Sequence, residues 1–228
     1  GAENAINGEW LKGPSMKLLN AIDERLTAEG IDTKLGFSTY VDQQFAPKQE
    51  KLKNHSRFIM SLCPISRSYT SSITKDSVYP EIKPYVRNKW ENAKTVEELL
   101  AYYKHWRKTQ NLNCPGYVFE YHFWRHQYLD PGMIQMSRRL HQDIRALPLM
   151  DMAGMVEDGS NKSFFPNGLQ SYTYSRTLTD SDVEFNQIVQ EYFPTAYGED
   201  WQVAYDYLCK ISELFDHGYM CGEKGIDP

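Results

Sequence analysis

A chain of 228 residues with 25 Lys and Arg against 30 Asp and Glu carries a net charge of -5. It is long enough to bury one sizeable core, and its charges are too interleaved to present the basic face that nucleic acid requires. Its longest apolar stretches, FIMSLCPI and LPLMDMAGMV, fall short of the roughly 20 residues of a membrane helix, so neither nucleic acid nor a membrane span is expected. Cys63, Cys114, Cys209 and Cys221 are too scattered for a zinc pattern or a disulfide framework, which predicts buried thiols, no metal and no cofactor. Aromatic residues make up 14%, with 16 Tyr and 5 Trp, more than most cores need, and such side chains suit the half-wet walls of ligand clefts.

Residues 14–29 (PSMKLLNAIDERLTAE) place Leu18, Leu19, Ile22 and Leu26 at helical spacing, with Gly30 to end the helix. KLGFSTY and RFIMSLCP read as short strands beginning at Lys34 and Arg57. SRSYTSSITKDSVYPEIKP is polar and broken by Pro80 and Pro84, which predicts a long loop. Thr95 and Glu98 have the spacing of a capping box that opens a helix running to about Gln110. GYVFEYHFWRHQY continues as a strand, and Asp130 with Pro131 then starts a helix bearing Met133, Met136, Leu140 and Ile144 on one side. LMDMAGMVED reads as a fourth strand. Beyond Phe165 three helices are expected, at about 166–178, 182–193 and 200–215. Ser181 and Glu184 would form a capping box for the second, and Trp201, Ala204, Leu208, Ile211 and Phe215 a stripe on the third.

Strands alternating with helices build a parallel sheet, so the fold class is α/β. Four strands are too few for a closed (β/α)8 barrel. The expectation is part of such a barrel, its C-terminal half, in a single domain over 1–228 with a helical tail over 166–228; a self-contained open sheet is the alternative. A half-barrel carries an unpaired sheet edge, which predicts self-association or a missing upstream half.

Ligand sites of parallel α/β sheets lie at the carboxyl ends of the strands. Strand alternation puts Val118, Glu120 and His122 on one face and Tyr117, Phe119 and Tyr121 on the other. Glu120 is conspicuous, because a carboxylate inside an apolar run costs several kcal/mol unless it is paired or used. Glu157 ends the fourth strand before the turn-rich GSNKSFFPNG. Two acids on neighbouring strand ends can divide the labour of glycoside hydrolysis, one donating a proton to the leaving group and the other acting as nucleophile or base. Glu120 and Glu157 are therefore the candidate catalytic residues. As purely structural groups, Glu120 would be met by Arg67 or Arg125, and Glu157 by backbone amides or Lys162.

Carbohydrate is bound by aromatic faces stacked on the sugar ring and planar polar groups on its hydroxyls. Tyr40, Asp42, Arg67 and Tyr69 at the first two strand ends, with Tyr121, His122, Trp124, Arg125 and Asp158 around the acids, are the candidate substrate contacts. His126 fits the same description. His122 and His126 would make a metal pair only on a helix, so no metal is assigned to them, and His55, His105, His141 and His217 read as solvated. No GxGxxG, GxxxxGK[ST] or GxSxG occurs, which leaves dinucleotide, NTP and α/β-hydrolase chemistry without its cradle or its nucleophile turn. Gly36 and Gly154 read as close-packing positions in strands.

The stretch LLNAIDERLTAEGIDTKLGFSTYVDQQFAP, with FIMSLCPISRSY, GYVFEYHFW, AGMVEDGS, NGLQSYTYSRTLTD and EYFPTAYGED, resembles the DUF4838 family of large bacterial, glycoside-hydrolase-like proteins with a TIM-barrel core. The likeness runs from about Leu18 to Phe215 and is one of strand ends and helices, without a short diagnostic signature. It implies that the chain corresponds to the later barrel strands plus a helical tail. It also implies carbohydrate-active function on an oligo- or polysaccharide, and export to the periplasm, cell surface or medium. It supplies no catalytic residues, so Glu120 and Glu157 rest on their strand ends. The function expected is a glycoside hydrolase; a carbohydrate-binding module without catalysis, or a structural or protein-interaction domain, are the alternatives.

Overall fold

The computed structural model describes residues 9–74, 78–86, 88, 89, 91–159 and 166–225. In chain order its elements are α1 (Glu9–Ala28), β1 (Leu35–Tyr40), β2 (Phe58–Cys63), α2 (Val96–Gln110), β3 (Gly116–Glu120) and α3 (Ile134–Arg145). They continue with β4 (Met152–Glu157), α4 (Leu169–Thr179), α5 (Phe185–Tyr197), α6 (Trp201–Leu214) and the one-turn α7 (His217–Met220). The strands form one four-stranded parallel sheet in the order β1-β2-β3-β4. β1 lies on β2 with Leu35 opposite Phe58 and Tyr40 opposite Cys63, and β2 lies on β3 with Leu62 opposite Val118. Strand order that follows chain order is what successive crossovers of one hand produce. The α/β class with a parallel sheet is as expected. No helix among the described residues is long and apolar enough to cross a membrane.

The chain divides into two compact units. The first comprises Gly1–Ser68, Asp76–Phe119 and Leu149–Val156, the second Tyr69–Lys75, Glu120–Pro148 and Glu157–Pro228. In the first, Phe37, Phe58, Met60, Leu62, Leu100 and Trp106 are buried. Thr95 Oγ1 accepts from Glu98 N–H at 3.1 Å while Glu98 Oε2 accepts from Thr95 N–H at 3.2 Å, the reciprocal cap expected for α2. The polar stretch between β2 and α2 holds no helix or strand among its described residues.

α1 overturns its expected stripe. Leu18 is 62% exposed and Ile22 36%, while Met16, Asn20 and Asp23 are buried. The reason lies at the start of β2. Arg57 Nε donates to Asp23 Oδ1 at 2.7 Å, and its remaining nitrogens donate to the carbonyls of Ile31 and Thr33 and to Thr27 Oγ1. Asn20 is likewise engaged by the backbone at Lys51 and Lys53. A guanidinium this buried needs most of its donors satisfied, and Asp23 and Thr27 on the polar face of α1 supply two of the acceptors while the carbonyls of Ile31 and Thr33 just beyond it supply the others.

Gly36 and Gly154 are not close-packing positions: a Cβ there would meet nothing within 4 Å among the described residues. Gly116 is one. A Cβ on it would sit 2.7 Å from the Met60 carbonyl oxygen and 2.9 Å from Tyr103 Oη. Gly116→Ala is expected to destabilise the protein by about 1–3 kcal/mol, the usual range for overpacking, read as a lowered urea midpoint at unchanged m-value.

In the second unit Ile134, Leu169, Ile188, Phe193 and Leu208 join α3 to α4, α5 and α6 in one apolar cluster. The helices after Phe165 are thus core partners of α3 and not a trailing appendage. Two helix starts differ from expectation. α3 begins at Ile134 and not directly after Pro131, because Ser212 Oγ from α6 accepts the N–H groups of Ile134 and Gln135 while Asp130 Oδ2 accepts that of Met136. The Ser181–Glu184 box does not form. Glu184 is itself the residue before α5 and turns its carboxylate to Arg145 at 3.1 Å. On α6 Leu208 is buried, but Phe215 beyond its end is 39% exposed. The four cysteines are unbridged and half-buried, where buried thiols were expected.

Candidate functional site

β3 ends at Glu120 and the chain turns at once, so His122 lies just beyond the strand and not within it. Alternation inside the strand is as expected, with Val118 and Glu120 buried and Tyr117 and Phe119 half-buried. Glu120 Oε2 accepts the Tyr69 hydroxyl at 2.5 Å, and the Tyr69 oxygen accepts Tyr121 N–H at 3.1 Å. The carbonyl of Glu120 accepts Asp158 N–H at 2.7 Å, which ties the end of β3 to the residue following β4.

Glu157, the last residue of β4, grips His122 twice: Oε2 accepts its backbone N–H at 3.0 Å, and Oε1 lies 2.8 Å from ring Nδ1. The other ring nitrogen, Nε2, lies 2.9 Å from Asp143 Oδ2 on α3, and Asp143 Oδ1 accepts Ile73 N–H at 2.7 Å. Both ring nitrogens therefore face carboxylate oxygens, and only the imidazolium can donate from both. Burial opposes that charge. The Glu157 carboxylate, the hydrogen bonds of Asp143 and Glu157, and the charge of Glu120 outweigh it and push the imidazole up to about 10. The side chains of His122 and Asp143 are 0% exposed and that of Glu157 is 3%. The Tyr69 ring meets His122 edge-on at 4.9 Å between centroids and stacks on His126 at 4.1 Å.

Three carboxyl groups, one imidazolium and one phenol are thus gathered beyond the ends of β3 and β4. Of the candidate residues, Glu120, Glu157, Tyr69, Tyr121 and His122 come together here, with Asp158 half-exposed beside them. Trp124 is 41% exposed, and the Arg125 guanidinium lies over its ring at 5.4 Å. Tyr40, Asp42 and Arg67 belong to the first unit, Tyr40 exposed and Arg67 buried.

Several expectations change. Tyr121 is 5% exposed with its ring against Trp124, so its face is not open to a sugar. His122 is committed to two acids and is not a free substrate contact. Glu157 does take a backbone amide, that of His122; Lys162 lies outside the described residues. His141 and His217 are buried and not solvated, His141 Nε2 donating to the Val183 carbonyl at 2.8 Å. Asp143 was missed altogether. Its signal was present, since it stands three residues after Leu140 and seven after Met136, an acid on the apolar stripe of α3.

A concavity of about 660 Å³ lies in the first unit, lined by Phe45, Ile82, Pro84, Val86 and Tyr102 among others and by none of the candidate residues. Among the described residues, the donors close enough together to take a metal ion are His126, His217 and Cys221, none of which belongs to the acid cluster. Compared with known proteins, the chain matches no protein family, no curated protein and no solved structure.

Proposed function

We propose that the protein is carbohydrate-active, of the glycoside-hydrolase type, with its sheet part of a (β/α)8 barrel and Glu120 and Glu157 as the acid pair. The observation that carries this reading is that acids from two successive strand ends flank one buried imidazolium, the Glu157 carboxylate bonded to His122 and the Glu120 charge acting on it. So much desolvated charge at strand ends is costly, and costly titratable clusters concentrate at functional sites. The chemistry required is one carboxyl to protonate the glycosidic oxygen and a second to act as nucleophile or base. Trp124 with Arg125, and Tyr128 at 64% exposure, offer aromatic and planar polar surface for the sugar. Resemblance to the DUF4838 family supports the same reading and, with it, export. β1 and β4 stand at the two ends of the strand order, which suits pairing with further strands or with a second copy.

The test is turnover and binding across a panel of oligosaccharides and aryl glycosides. Glu120→Gln and Glu157→Gln each keep a hydrogen-bond acceptor, and each is expected to lower kcat by about 10²–10⁴-fold, the share general acid–base groups supply, with glycan affinity retained. A second reading, glycan binding without hydrolysis, is favoured by the near-complete burial of both carboxylates. Under it the wild type turns over no glycoside, and Trp124→Ala abolishes binding while both Gln variants bind as before. Absence of both turnover and glycan binding refutes both readings and leaves a structural or protein-interaction domain.

A further inference from the structure

The geometry points to a second site in the same unit: a transition-metal site of the zinc class formed by His126, His217 and Cys221. It does not depend on the carbohydrate reading. The ligand atoms of the three residues all lie within 4.8 Å of one another. Local structure explains the convergence. His217 and Cys221 are four residues apart on one helical turn, closed by Cys221 N–H donating to the His217 carbonyl at 2.9 Å, so their side chains project from the same face. Asp216 fixes the start of that turn by accepting Tyr219 N–H at 3.0 Å. His126 reaches the pair from the 3-10 segment Arg125–Leu129, its ring 5.8 Å from that of His217 and tilted by 32°.

The independent observation is His217 itself. It is 4% exposed, and among the described residues neither ring nitrogen has a hydrogen-bond partner. A buried polar group left unsatisfied costs about 1–3 kcal/mol, and an imidazole turned towards a second imidazole and a thiol is relieved by a cation that all three can ligate. Tetrahedral zinc with two nitrogens and one sulfur sets its donors roughly 3.5 Å apart. The donors need close by only about an ångström to reach that spacing, which side-chain rotation supplies. Two imidazoles and one thiolate select zinc, cobalt or copper over magnesium or calcium, which prefer oxygen. Three protein ligands leave the fourth position open, and Cys221 is only half-buried. The surrounding charges are mixed: Arg139 acts on both His217 and Cys221 and Arg125 on Cys221, opposed by Asp216 and Glu223. Arg139 is the cation a metal ion must tolerate.

Titration of the metal-stripped full chain with Co²⁺, followed by absorption, tests the proposal. The expected result is one cobalt per chain with a thiolate-to-cobalt charge-transfer band and intense d–d bands of tetrahedral geometry, both displaced by Zn²⁺. Cys221→Ser is expected to erase the charge-transfer band, and His217→Gln to weaken binding by at least the 10- to 100-fold that loss of a ligand's supporting partner costs. Arg139→Met is expected to tighten binding. Circular dichroism of each variant verifies the fold, and Cys221→Ser, at a half-buried position, is the variant that keeps the test decisive if His217→Gln unfolds. A wild-type chain without the charge-transfer band, or a Cys221→Ser chain with an unchanged spectrum, overturns the site.

Discussion

Replacing Asp143 by alanine is expected to cost about 3–5 kcal/mol of folding stability, the range seen when one partner of a buried ion pair is removed. Asp143 closes two contacts: Oδ2 faces His122 Nε2 at 2.9 Å and Oδ1 accepts Ile73 N–H at 2.7 Å. Without it, a charged ring nitrogen and a backbone N–H are left facing a void. Asp143→Asn separates the two losses. The asparagine oxygen can still accept from Ile73, but its amide presents a donor to a donor at His122 Nε2, and the ring escapes by giving up one proton and keeping the bond from Nδ1 to Glu157. Asp143→Asn is thus expected to be milder than alanine and to bring the His122 imidazole down towards its ordinary value, visible in the ring ¹⁵N shifts. Because His122 and Asp143 act as one unit, the His122→Ala/Asp143→Ala double variant should cost less than the sum of the singles. An Asp143→Ala midpoint within about 0.5 kcal/mol of wild type, the scatter of ordinary surface substitutions, would show the network to be ornamental.

Local signals in the sequence reached as far as local physics does. The Thr95–Glu98 cap of α2, the left-handed Gly30 after α1 and the end of β4 at Glu157 all depend on residues a few positions apart, and all stand where expected, whereas β3 stops at Glu120, short of the His122 expected within it. What failed was burial of polar groups whose partners are distant. Asp23 lies inside because Arg57, 34 residues on, needs acceptors, and Asn20 because it bonds the backbone of Lys51 and Lys53, 31 and 33 residues on. The buried role of His122 rests on Asp143, 21 residues on, and Glu157, 35 residues on. Hydropathy ranks such residues as solvent-facing, and no periodicity rule pairs them. The sharper lesson is that an acid or amide placed on an apolar stripe, as Asp143 is on α3, signals a buried partner before that partner is known. His217, expected to be solvated, is buried for a different reason. Its burial comes with α7, a single turn too short for a 3.6-residue pattern to register.

Stability is expected to fall as pH rises from about neutral to 10, and His122 to be the group responsible. Its imidazole is raised from 6.5 to about 10 in the folded protein, so between those values the native state holds a proton that the unfolded chain has released. The stabilisation is fully present below pH 6.5 and is lost as pH climbs through 10. The slope at mid-window is ~1.4 kcal/mol per pH unit for one proton of difference. Urea unfolding at unit steps from pH 6 to 10 measures it, and His122→Gln, which cannot titrate, should flatten the curve over that window at the price of a lower plateau. An equal slope in wild type and His122→Gln would assign the effect elsewhere and remove the argument that the ring is held as an imidazolium. The same raised value constrains catalysis. A group charged throughout pH 5 to 8 cannot produce a titration limb in that range, so under the proposed glycoside-hydrolase reading His122 is not the source of a pH-dependent limb near neutrality.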